Sequence, residues 1–257
     1  MQGACCRSEP PAPFLTRRCR CEVDTNSART RSGPGDILDE MGSPSGQRLL
    51  RYDRRFGVRF VAGADEAGRG SLAGPLVVAG VLLDYATLRG HRTRALALLN
   101  DSKQVDPETR ETLLRAVLDA ATHVSVRVIP ACDIDRHGLH RSNLAALRDV
   151  LADLAPRAEV CLVDGFRLGP LAPPHSAVVD GDTRSAAIAA ASIVAKVTRD
   201  RIMRRLDALH PRYGFSRHVG YITPFHSAAV REHGPCHQHR LSYSAKCYAP
   251  IGLESAA

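Results

Sequence analysis

Apolar and polar positions alternate through residues 58–64 (Val-Arg-Phe-Val-Ala-Gly-Ala), the period of a strand with one face buried. Residues 75–83 (Pro-Leu-Val-Val-Ala-Gly-Val-Leu-Leu) are almost wholly apolar and predict a second, fully buried strand, joined to the first through a glycine-rich link, 68–74. A short Ala/Leu helix is expected over 93–99. Asp106-Pro107 opens another that runs to about residue 121, with proline in its first turn. Alternation over 123–129 predicts a third strand. Leu144, Leu147, Val150, Leu151 and Leu154 then follow helical spacing behind Ser142, the expected cap. A fourth strand, 159–163, ends on Asp164-Gly165, and a short one, 177–179, ends on Asp180-Gly-Asp182.

The longest helix is predicted over 185–209, with Ile188, Ala191, Ala195, Ile202, Leu206 and Leu209 on one face. Its alanines from 186 to 191 keep side chains small where it would lie against a sheet. His210-Pro211 stops it, and Thr223-Pro224 opens one more helix to about residue 233. Strands that come early as a meander and later alternate with helices predict an α/β domain with a mixed sheet flanked by helices and a small C-terminal helical extension. That domain is expected over 55–245. Residues 1–50, rich in Pro, Ser, Gly, Arg and Thr, show neither period and are expected to form a disordered tail; residues 246–257 should be a flexible C-terminus. Met41, followed by Gly-Ser-Pro-Ser-Gly, would serve as a translation start of its own.

Composition narrows the class. The chain has 257 residues, 44% hydrophobic, enough for a real core. Its longest nearly unbroken apolar run, 72–83, falls short of the ~20 residues of a bilayer-spanning helix. Without a recognisable secretory signal, a cytoplasmic location and no membrane partner are expected. The net charge is +8, and only three of the cations are lysines, Lys103, Lys196 and Lys246. Residues 1–40 carry six arginines against six acids, so the whole excess belongs to the rest of the chain. A basic globular part suits a polyanion, a phosphate backbone above all, and equally fits an arginine-rich surface with no partner. The eight cysteines lack zinc-ligand spacing. Most of the six histidines between 210 and 239 read as solvated or phosphate-facing rather than as a metal cluster.

Four acids stand out by position. Asp65 and Glu66 follow a strand, Asp164 ends another, and Asp182 comes just before a helix. Carboxylates at strand ends of an α/β sheet converge near one edge, where their repulsion calls for cations. Oxygen donors favour Mg2+ or Mn2+. Adjacent residues on a strand face opposite sides, so Asp65 and Glu66 would share a site only where the backbone turns. A basic protein with an acidic hard-metal pocket points to phosphodiester hydrolysis. Each acid is equally a turn former, helix cap or surface charge. The residues alone therefore leave open a metal-dependent nuclease and a basic nucleic-acid-binding module whose acids are structural.

Gly63-Ala-Asp-Glu-Ala-Gly-Arg-Gly70 with Leu72-Ala-Gly-Pro75 resembles the opening signature of ribonuclease HII. The likeness continues through Asp101-Ser-Lys103, Val163-Asp-Gly165, Gly181-Asp182 and 188–200, then His210-Pro-Arg-Tyr213-Gly214, Gly220-Tyr221-Ile-Thr223 and His226. It spans about 55–245. The resemblance implies an RNase H-like fold and a metal-dependent endoribonuclease acting on the RNA strand of RNA–DNA hybrids. It also implies cleavage at single ribonucleotides embedded in duplex DNA, by two metal ions, Mn2+ or Mg2+, leaving 3′-hydroxyl and 5′-phosphate ends. On motif position it makes Asp65, Glu66, Asp164 and Asp182 the catalytic metal ligands. Gly68, Arg69 and Gly70 become the loop that senses ribose 2′-hydroxyls, and Tyr221 the residue that packs on the sugar at an RNA-to-DNA junction. Lys103 and Arg184 would contact phosphates, and a monomer is expected. Arg69 separates the chain from the related HIII type. Three features depart from the pattern: Asp180, Phe166 after Asp164-Gly165, and the ending Gly234-Pro-Cys-His-Gln-His-Arg-Leu-Ser-Tyr243.

Overall fold

The computed structural model describes residues 45–99, 105–243 and 245–248. Most of the predicted N-terminal tail, Lys103 with its Asp101-Ser102 neighbours, and 249–257 lie outside the described residues. In chain order the elements are α1 (Ser45–Arg54), β1 (Phe60–Ala67), β2 (Leu76–Asp84), α2 (His91–Ala95), α3 (Pro107–Ala120), β3 (Ala121–Ile129) and α4 (Ala131–His137). Then follow α5 (Leu139–Leu154), β4 (Val160–Asp164), β5 (Ser176–Val178), α6 (Ala186–Leu209), α7 (Phe215–His218) and α8 (Pro224–His233). Short 3-10 turns stand at Leu96–Leu98, Gly181–Thr183, Pro211–Tyr213, Leu241–Tyr243 and Lys246–Tyr248.

The five strands lie in the order β3-β2-β1-β4-β5. β1, β2 and β3 form an antiparallel meander, while β1–β4 and β4–β5 are parallel, which is the expected mixed sheet. Alternate residues of β1 and β2 point to opposite layers. Val61, Val77, Val81 and Leu83 pack towards α1, α3 and α6. Ala62, Ala64, Val78 and Leu82 pack towards α5. Two glycines let the helices close in. A Cβ on Gly63 would overlap the α6 backbone at Ala187 and Ile188, and one on Gly80 would overlap Val150 of α5. A third, smaller cluster gathers Leu72, Met203, Tyr213, Phe215 and Val230 beneath the C-terminal helices. Among the described residues, no helix is long and apolar enough to cross a membrane.

The structure corrects several expectations. A helix, α1, already stands before residue 55, with buried positions Gly46, Leu49, Leu50 and Asp53. Asp53 accepts hydrogen bonds from Tyr85 Oη (2.7 Å) and from the Ala187 N–H (2.9 Å), so a carboxylate of α1 caps α6. Burial pushes its pKa up, against the pull of those donors. The first strand begins at Phe60 rather than Val58. The helix expected over 93–99 divides into α2 and a 3-10 turn. α5 begins behind Gly138, three residues before Ser142, so Ser142 is an interior residue rather than a cap. Leu209, expected on the buried face, is 71% exposed at the last position of α6. Within the C-terminal segment predicted as flexible, Cys247 is buried and Tyr248 Oη donates to the Leu72 carbonyl at 3.3 Å.

Candidate active site

The two central strands end together. Ala64 pairs with Val163 at the last rung of the parallel ladder, and Asp65 and Asp164 are the residues that follow it on the two strands. Asp65 is on the face of β1 turned to α6, and Ser192 of that helix hydrogen-bonds its carboxylate. Asp65 Oδ1 also accepts the Glu66 N–H at 2.7 Å. The strand stays extended through Ala67, so no turn separates Asp65 from Glu66. They border one cleft nonetheless: β4 has already ended at Asp164, which leaves that edge of β1 open. The turn follows at Gly68, in the left-handed region at φ 88°, where a Cβ would overlap the Arg199 guanidinium.

Asp182 arrives from another direction. The Gly181 N–H donates to Asp164 Oδ1 at 2.6 Å, drawing the Gly181–Thr183 turn onto the end of β4. A Cβ on Gly181 would press on Ile188 and on Asp164 Oδ1. Asp182 is thereby held 8% exposed inside the cleft, whereas Asp180 is exposed and stands outside it. A cleft of about 290 Å3 is lined by all four acids predicted from sequence, Asp65, Glu66, Asp164 and Asp182. Gly68, Arg69, Gly70 and Tyr221 line its other walls. The Arg69 guanidinium lies 4.5 Å from the centre of the Phe166 ring and 3.9 Å from Glu66 Oε1, so the unusual Phe166 is a platform for that arginine. Tyr221 keeps 37% of its surface exposed and is no core residue.

Arg184 is not brought to the cleft. It is exposed, its guanidinium 5.7 Å from the centre of the Tyr52 ring. Two residues that sequence reasoning missed are Ser192 and Lys196, one α6 turn apart and both in the cleft wall. Lys196 Nζ pairs with Asp200 Oδ1 at 2.8 Å, and Asp200 also holds Arg110 at 2.7 Å. The available signal was polar residues interrupting the buried stretch of an alanine-rich helix. Three of the six histidines are not solvated. His218, His226 and His239 are buried, with His218 stacked on His226 at 4.1 Å and His226 Nε2 3.1 Å from His239 Nε2.

Burial, then the charges of Glu66 and Asp164, push the Asp65 carboxyl well above the usual carboxylate range. A divalent cation would relieve that repulsion. The donors lining the cleft are carboxylate and hydroxyl oxygens, with neither thiol nor imidazole, a set that suits a hard ion. Among the described residues no three His, Cys, Asp or Glu side chains make a ready-formed metal cage. An ion held by part of this carboxylate wall would keep positions for water and substrate oxygen, as Mg2+ commonly does.

A family model described as Ribonuclease HII matches residues 62–246. A Ribonuclease HII of Salinispora arenicola (strain CNS-205) is 51% identical over 195 residues, 76% of this chain and 71% of that protein. The crystal structure of the ribonuclease H2 from Pyrococcus horikoshii OT3 matches with a TM-score of 0.62 at 25% identity, over 74% of this chain and 95% of that one. Bst-RNase HIII in complex with Mn2+ shares the fold, with a TM-score of 0.56 at 20% identity, over 83% of this chain and 74% of that one.

Proposed function

Since the chain belongs to the ribonuclease HII family of metal-dependent endoribonucleases, we propose that it cuts the RNA strand of RNA–DNA hybrids and, beyond that, single ribonucleotides embedded in duplex DNA. Asp65, Glu66, Asp164 and Asp182 hold Mn2+ or Mg2+ in this reading; the Bst-RNase HIII structure is of a complex with Mn2+. When bound, a pair of such ions supplies Lewis acidity to the scissile phosphate and lowers the pKa of the attacking water. One observation carries the proposal. The four acids, the Gly68-Arg69-Gly70 loop and Tyr221 border the same cleft.

The chain's own residues do the positioning. The Glu66 N–H and Ser192 orient Asp65, and the Gly181 N–H orients Asp164, so neither carboxylate has to reorganise when substrate arrives. Lys196 brings a second cation, besides Arg69, into the acidic cleft, suited to a phosphate oxygen. Backbone can approach a ribose closely at Gly68 and Gly70, and the 2′-hydroxyl is the group that tells RNA from DNA at one position. Tyr221 offers an exposed aromatic face for the neighbouring deoxyribose. The protein acts as a monomer in the cytoplasm in this reading.

The test is cleavage of a DNA duplex containing one ribonucleotide, with Mg2+ or Mn2+ added and the product ends mapped. The expected products carry a 3′-hydroxyl and a 5′-phosphate, and an all-DNA duplex stays intact. Asp65→Asn should abolish turnover, a loss of about 10³-fold or more for a removed metal ligand. Asp182→Asn should cost nearly as much, and the exposed Asp180→Asn little. Near-normal turnover by Asp65→Asn, or a reversed ranking of the other two, overturns the assignment.

A further inference from the structure

The loop that borders the acids is held from behind by the end of the described chain. The Gly74 N–H donates to the Gln238 carbonyl at 2.8 Å, and the Arg240 N–H donates to the Leu72 carbonyl at 2.9 Å. Ala73 and His239 form an antiparallel bridge between these bonds. The segment then delivers two side chains to one acceptor. Arg240, fully buried, donates from Nε to the Gly74 carbonyl (3.0 Å) and from Nη1 to the Arg69 carbonyl (3.1 Å). Tyr243 Oη donates to the same Arg69 carbonyl at 2.6 Å while accepting from Arg240 Nη1 at 2.7 Å.

The far side of the segment is anchored too. Asp135 of α4 accepts from the Leu241 N–H (3.0 Å), the Ser242 N–H (3.0 Å) and Ser242 Oγ (2.6 Å). A continuous set of hydrogen bonds therefore runs from α4, through the Leu241–Tyr243 turn, to the backbone of Arg69. Within the loop one backbone hydrogen bond, from the Ser71 N–H to the Gly68 carbonyl at 3.3 Å, closes the turn, and it leaves the Arg69 carbonyl to the C-terminal segment. Glycines flank Arg69 on both sides, and a Cβ placed on Gly70 would meet nothing within 4 Å. A backbone of that kind has many conformations to lose, and a carbonyl held by two donors removes most of them.

We propose that Arg240 and Tyr243 are positioning residues that set the Gly68-Arg69-Gly70 backbone for ribose reading, so that the C-terminal segment governs how strictly the cleft tells a ribonucleotide from a deoxyribonucleotide. The inference rests on the ribonuclease reading above. It gives the ending of the chain a role in selectivity and not only in the small C-terminal core.

Tyr243→Phe tests it, because that change removes one hydroxyl and keeps the ring. Two quantities are read: kcat/KM on a duplex with one ribonucleotide, and the inhibition constant of an all-DNA duplex of the same sequence used as competitor. Loss of one hydrogen bond to the loop should lower kcat/KM about three- to tenfold. The inhibition constant should not change, and Tm should fall by no more than about 4 °C. Asp135→Ala, which frees the turn from its anchor far from the cleft, should move kcat/KM the same way with the inhibition constant again unchanged. A purely structural role would lower Tm and weaken both duplexes together, and that result overturns the proposal. Unchanged kcat/KM in both variants, with an active wild type, overturns it while leaving the ribonuclease reading intact. A wild type that cuts no ribonucleotide-containing duplex removes both.

Discussion

Lowering the pH from 7.5 to 5 should weaken the fold through two buried histidines, and the hydrogen bonds determine the sign. His226 Nδ1 lies 2.9 Å from the Tyr221 carbonyl, which can only accept, so that nitrogen carries the proton. His226 Nε2 then accepts from Nε2–H of His239, 3.1 Å away, and His239 Nδ1 accepts the Cys236 N–H at 3.0 Å. Both rings are neutral: a second proton on His226 would point at the His239 donor, and one on His239 Nδ1 would displace the Cys236 N–H, with only the more distant Cys236 carbonyl, 3.3 Å away, to receive it. Burial is the main cause that brings both pKa values down from 6.5 to about 4. The neighbouring His218 adds to it for His226, and His226, His210 and His218 add to it for His239, while the carbonyls of Tyr221 and Cys236 pull the other way.

The unfolded chain titrates near the ordinary value and takes up protons that the folded chain refuses. Stability contributed by neutral burial is therefore intact above about pH 6.5 and is lost as the pH falls towards 4. At pH 5 the linkage costs about 2 kcal/mol per ring, or about 4 kcal/mol for the pair. The comparison that isolates it is urea unfolding of the wild type and His239→Gln at both pH values, because glutamine keeps a donor near Nε2 but does not titrate. His239→Gln should be the less stable protein at pH 7.5, having lost the acceptor for the Cys236 N–H. The gap between the two should then narrow by about 2 kcal/mol at pH 5. Parallel losses in the two proteins refute the reasoning, as does a wild type that gains stability on acidification.

Gly63→Ala should lower stability by about 1–3 kcal/mol and kcat by up to about 100-fold, since the added methyl meets α6 backbone and must push away the helix that carries Ser192 and Lys196. Calorimetry and single-substrate kinetics measure both, and an unchanged Tm would show that β1 and α6 have room to spare. Tyr221→Ala should weaken cleavage at a single embedded ribonucleotide more than cleavage within a long RNA strand while Tm holds, because the ring lies outside the core. Equal losses on the two substrates contradict junction reading by that ring.

What could be read from the sequence was whatever depends on neighbours in the chain. β2 shows itself because nine consecutive residues are buried. α6 shows itself because Ser185 caps it and alanines fill the turns that face the sheet. The acids were legible for the same reason: Asp65 and Asp164 sit at the ends of strongly patterned strands, and Asp182 leads into a strongly patterned helix. α1 escaped because one of its four buried positions is a carboxylate, Asp53, and hydrophobic periodicity cannot count a buried acid whose partners, Tyr85 and Ala187, lie far along the chain.

The same limit explains why the histidines and the loop clamp stayed hidden. All six histidines of this basic stretch look alike in the sequence, yet Phe215, Tyr213 and one another's rings enclose His218, His226 and His239, and nothing local in the sequence announces that enclosure. Arg240 and Tyr243 meet the Arg69 carbonyl across more than 170 residues, so their partner is set by how the third hydrophobic cluster closes under the loop. A buried arginine costs free energy unless its N–H groups find acceptors. Arg199 finds the carbonyls of Ala73, Pro75 and Val219, and Arg240 finds those of Gly74 and Arg69 while its Nη2 stays without a partner among the described residues. Every one of those carbonyls but that of Val219 belongs to the 68–75 loop or its end. Two buried guanidiniums thus serve as a template for a backbone too rich in glycine to hold its own shape. A substitution far from the acids, at Tyr243 or Asp135, should for that reason alter what the cleft recognises without touching how it cuts.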